Sequence, residues 1–93
     1  MAFMTLLEEV KQDLRIRHNK VDECIQEDIQ SALELIYTSG VRPDTSDKLV
    51  RRAVKFYLRY INDFDEKGTE YKKAFDNLLG TMMMSSKRQI NEE

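Results

Sequence analysis

A single proline, Pro43, and only three glycines, Gly40, Gly68 and Gly80, interrupt the chain. A fold of short strands needs frequent turn residues, and this sequence does not supply them. Long uninterrupted stretches with apolar residues at intervals of three and four predict helices instead. The expected fold is therefore all-α, a single small domain of about four helices. It has a short first helix, two longer antiparallel helices, a shorter fourth helix and a flexible C-terminal tail.

The first helix opens on Thr5-Leu6-Leu7-Glu8, a capping box in which the threonine hydroxyl and the glutamate each satisfy a backbone amide. Leu6, Leu7, Val10 and Leu14 form its apolar stripe, and the helix is expected to fade near Arg15 to Arg17. The second is expected from Val21 or Asp22 to Thr38, with Val21, Ile25, Ile29, Leu33 and Ile36 inward and Ala32 and Tyr37 widening the stripe. Gly40 and Pro43 end it. Asp44 or Ser46 caps a third helix, over about 46–64. Its inward stripe is Leu49, Val50, Ala53, Val54, Tyr57, Ile61 and Phe64. Phe56, Leu58 and Tyr60 lie partly off that stripe, which predicts a central helix or one that meets a partner. Thr69 caps a fourth helix holding Tyr71, Phe75, Leu78, Leu79 and Met82, with Gly80 weakening its last turn. The helical domain covers 1–84, and 85–93 is a polar tail.

The chain has 93 residues, and a domain this small buries only about 60–65% of the surface its unfolded chain exposes. Association would add to its stability. The net charge of −2 lacks the basic excess of a dedicated nucleic-acid binder. Cys24 is the only cysteine, which excludes an internal disulfide, and it is expected to be a small half-buried residue. The start, Met1-Ala2-Phe3-Met4-Thr5, shows no signal-peptide pattern, and no run approaches the ~20 apolar residues of a membrane span. An intracellular site of synthesis is the expectation.

Catalytic signatures are sparse. His18 lies among Arg15, Arg17 and Lys20, with no nucleophile elbow around it. Glu8 and Glu9, and Glu27 and Asp28, fall where solvated helix faces belong. Asp63 and Asp65 lack the spaced ligands and glycine of a calcium loop. No phosphate-cradling loop or dinucleotide fingerprint occurs. No enzyme, cofactor or metal site is expected.

The charged residues form stripes. Lys48, Arg52, Lys55 and Arg59 share one face of helix three, with Arg51 beside them, and Glu23, Glu27, Gln30 and Glu34 share one face of helix two. Both could be ordinary solvated faces. They could also be complementary surfaces by which one copy meets the next, a heterologous contact that closes into rings. The basic stripe could alternatively touch DNA phosphates without reading sequence. Met82-Met83-Met84 is either a helix end with one buried methionine or an apolar patch for a partner.

Leu6 to Ile16 resembles the opening of phage head–tail connector proteins, which begin with a "leucine–x–x–valine–lysine–x–x–leucine–arginine–isoleucine" helix. His18 to Ile25 is similar to their acidic loop and second-helix start, and Ala32 to Gly40 to the end of that helix. Lys48 to Leu58 resembles their third helix, and Tyr71 to Met82 their last. The likeness spans about four-fifths of the chain. Two departures stand out: Tyr60-Ile61-Asn62-Asp63 replaces a tyrosine–x–x–arginine segment, and Gly80 with the methionines follows the last helix. The resemblance implies a non-enzymatic virion protein of a tailed phage or prophage. Copies would form a ring between the capsid portal and the tail or its stopper, extending the DNA channel. A small helical DNA-binding regulator is the alternative reading.

Overall fold

The computed structural model describes residues 5–62, 66–85 and 89. Its helices are α1 (Leu6–Asp13), α2 (Asp22–Thr38), α3 (Lys48–Ile61) and α4 (Gly68–Met83), the all-α architecture the periodicity predicts. Among the described residues the only extended pairing is an isolated antiparallel bridge between Val41 and Gln89.

The α1 capping box forms as read. The Thr5 hydroxyl accepts from the Glu8 amide at 3.1 Å, and the Thr5 amide donates to the Glu8 carboxylate at 3.3 Å. Both α1 and α2 end in the same way. At α2, Gly40 adopts φ +88°, its amide donates to the Tyr37 carbonyl, and the Val41 amide reaches back to Ile36. At α1, Arg15 adopts φ +60°, its amide donates to Gln12, and the Ile16 amide reaches Lys11. Each is a Schellman stop, in which the residue after the left-handed position packs back on the helix. This explains a core residue the periodicity misses: Val41, in the expected loop, is fully buried. Ile16, at the equivalent place, packs against the core. The difference is Arg15, a side-chain-bearing residue in a conformation that favours glycine.

The start of α3 corrects the expected cap. Asp47, rather than Asp44 or Ser46, accepts from the Leu49 amide at 3.0 Å. Asp44 instead closes the preceding turn, accepting from the Ser46 amide and hydroxyl at 2.9 and 2.6 Å. These hydrogen bonds, the hydroxyl's first, hold its carboxyl below the usual carboxylate range. The α4 start also differs: Lys67 occupies the cap position without a side-chain bond, and Thr69 lies inside the helix. The fourth helix is not the shorter one. It runs 16 residues against 14 for α3. Gly80 does not end it, because Met82 beyond it is fully buried and anchors the last turn.

The core gathers Val10, Ile25, Ile29, Ala32, Ile36, Val41, Val50, Ala53, Val54, Leu58, Phe75 and Met82. Helix α3 lies at its centre, packing on α1, α2 and most extensively on α4. Tyr57 meets Phe75 with ring centroids 5.5 Å apart. The expected inward stripe of α3 shifts toward its end. Leu58 is fully buried, while Ile61 is 40% exposed, because after Val54 the buried row advances by four residues rather than three and then four. Tyr37, expected to widen the α2 stripe, is 51% exposed. Phe64 lies outside the described residues. So does the tail apart from Ser85 and Gln89; the Gln89 side chain donates to the Met83 carbonyl at 2.8 Å.

Leu58→Ala should lower unfolding free energy in a urea titration by about 2–5 kcal/mol through loss of buried contacts and cavity formation. Ile61→Ala, at a largely open position, should cost no more than about 1 kcal/mol.

Candidate functional site

On α2 the buried side chains of Ile25, Ile29, Ala32 and Ile36 face the core. With ~100° of turn per residue, Glu23, Glu27, Gln30 and Glu34 fall on the opposite side. All are exposed, and none forms an ion pair among the described residues. Tyr37 continues that face one turn beyond Glu34. Asp28, beside it, is half-buried, and burial, with the neighbouring Glu27 charge adding, pushes its carboxyl above the ordinary range.

The basic ridge of α3 divides into two parts. Its second half is covered by α1. Glu9 accepts from Lys55 at 3.1 Å and also pairs with Arg51. Asp13 takes the Arg59 guanidinium in a bidentate grip, with Nε at 2.7 Å. Hydrogen bonding to Asp13 is the main reason Arg59 holds its proton more tightly than a free arginine. The Arg59 guanidinium also lies 5.1 Å from the centre of the Tyr71 ring, so it joins α1, α3 and α4. Lys55 and Arg59, expected at an interface between copies, thus have partners within their own chain. The first half is different: Lys48 and Arg52 are exposed and form no ion pair among the described residues. They flank a groove with half-buried Leu49, walled by Arg51, Lys55 and Glu9.

The α1 contribution was missed by reading stripes one helix at a time. Its signal was present: Glu9 and Asp13 are four residues apart, as are Lys55 and Arg59, so two helices can match rung for rung. A further tie runs from Lys11 to Asp22 and Asn19, both at 2.8 Å, closing α1 onto the start of α2.

The methionines separate. Met82 belongs to the core, whereas Met83 is 45% and Met84 87% exposed. Met82 therefore leaves the expected docking patch, because the helix directs it inward. Cys24, expected half-buried, is exposed on α2. The His18 ring accepts from the Lys20 amide at 3.2 Å, a contact within its own turn. Among the described residues no three histidine, cysteine, aspartate or glutamate side chains cluster as a metal set. No described helix is long and apolar enough to cross a membrane. A helix–turn–helix joins its two helices through a short turn. Residues 39–47 separate α2 from α3, longer than the ~3–4-residue turn of that motif, and the second half of α3's basic ridge lies under α1.

No protein-family model, curated protein or solved structure matches the chain.

Two outcomes follow from these charges. Glu9→Gln should reduce stability by about 1–2 kcal/mol at low salt, as expected for a partly buried charged hydrogen bond, and the gap should narrow in high salt. For Asp28, a raised carboxyl pKa means the folded chain binds that proton more tightly than the unfolded chain. Its unfavourable effect is present at neutral pH and relieved as pH falls through the raised value. Asp28→Asn should therefore raise Tm at neutral pH, with the advantage disappearing in acid.

Proposed function

We propose that this chain is a structural assembly protein of the head–tail connector kind, a subunit of an oligomeric ring. The observation that carries the reading is the pair of oppositely charged faces left open on one small fold: Glu23, Glu27 and Glu34 on α2, and Lys48 and Arg52 on α3. Both point away from the core, so neither can satisfy the other within the chain. Different faces that fit each other make a head-to-tail contact, which closes into a ring when the rotation between copies allows. The helix order supports this reading, as does the resemblance of its helical segments to connector proteins.

In this role the ring sits at the head–tail junction of a virion, between the portal on one side and a tail or stopper protein on the other. Any contact with DNA in the channel is non-specific. No reaction and no cofactor are part of the proposed role. Met83 and Met84, exposed at the end of α4, offer an adaptable apolar patch for one of these protein partners.

Light scattering and electron microscopy of the purified chain, with and without a portal ring, test this. Rings that depend on concentration or on portal are expected. A strict monomer that ignores portal overturns the proposal. Salt-sensitive, sequence-selective binding to duplex DNA without assembly would replace it with a small DNA-binding regulator.

A further inference from the structure

The chain contains its own example of how its basic ridge is engaged. An acidic pair four residues apart on α1, Glu9 and Asp13, seats on a basic pair four residues apart on α3, Lys55 and Arg59. Such pairs are about 6 Å apart along a helix, so the rungs coincide. The ridge repeats this unit once more toward its start, as Lys48 and Arg52, with which α1 forms no ion pair among the described residues. The acidic unit is also repeated, as Glu23 and Glu27 on the outer face of α2.

We infer that Glu23 and Glu27 of one copy seat on Lys48 and Arg52 of a second copy, in the rung-on-rung manner that α1 uses within the chain. The inference rests on the assembly reading and assigns its contact. α2 buries the face opposite its acids, and α3 buries the face opposite its ridge, so the two units cannot meet inside one molecule. The α1 helix limits the contact: with Lys55 and Arg59 occupied, an arriving α2 is confined to the first turns of α3.

The contact is not only ionic. Half-buried Leu49 lines the groove that the two cations flank. A second copy fits this groove better than nucleic acid does. The chain's net charge is −2, and the ligand already seated on the ridge is a pair of carboxylates at helical spacing. The contact also leaves a basic face unused on one copy and an acidic face unused on the other, so the same step repeats until it closes.

Paired charge reversals of the full chain test the inference. One variant carries Lys48→Glu and Arg52→Glu, and a second carries Glu23→Lys and Glu27→Lys. Each alone should need at least about tenfold more protein to assemble, since like charges then face each other at every contact. Mixing the two should restore assembly, because each now complements the other. A chain with all four changes should assemble by itself near the native concentration. Circular dichroism and melting of each variant establish that the fold is intact. If the native chain assembles and neither the mixture nor the fourfold variant recovers, this contact is wrong while the ring reading stands. Assembly unaffected by Lys48→Glu and Arg52→Glu, with loss of binding to a random-sequence duplex, would overturn it in favour of a phosphate site. A native chain that never assembles, with or without portal, removes both.

Discussion

Helix α3 has to satisfy two demands in one turn of backbone. Val50, Ala53, Val54 and Leu58 bury completely, while Lys48, Arg51, Arg52, Lys55 and Arg59 project from the other side of the same short helix. A helix this charged would repel itself and stay solvated if nothing answered it. The core holds one side through apolar burial, at ~25 cal/mol per Å² removed from water. The other side is answered by α1, an eight-residue helix that could not persist alone in water. Each stabilises the other: α1 gains a docking surface, and α3 gains counter-charges for the second half of its ridge.

Much of this architecture was legible because it rests on local rules. The Thr5 capping box, the extent of α2 and the Gly40 stop are set by residues within one turn of each other. The errors share a physical origin in packing between elements. Leu58 and Ile61 exchanged places because the buried row of α3 is set by α2 and α4, which periodicity within one helix does not contain. Val41 entered the core through the geometry of a helix stop. Asp47 displaced Asp44 and Ser46 as cap because Asp44 was already used by the turn before it.

The candidate site was legible to a similar depth. The acidic stripe of α2 and the basic stripe of α3 were visible from spacing alone, and both faces exist. Their use was not visible. Lys55 and Arg59 are taken up by Glu9 and Asp13, residues 46 positions away, and single-helix reasoning has no means of pairing them. Met82 likewise could not be separated from Met83 and Met84 until the direction of the α4 end was known.

The stop at Arg15 shapes how the molecule comes apart. α1 is joined to the rest through one fully buried side chain, Val10, the partly buried Leu6, Leu7 and Leu14, a set of partly exposed ion pairs, and a stop whose left-handed residue is not glycine. The α3–α4 pair shares the left-handed residue, Glu66 at φ +60° in its connection, but is held by more fully buried side chains, Val50, Ala53, Val54, Leu58 and Met82 among them. With eight residues and one fully buried side chain, α1 is the helix expected to open locally before the rest, and its amides are expected to exchange with solvent hydrogen first.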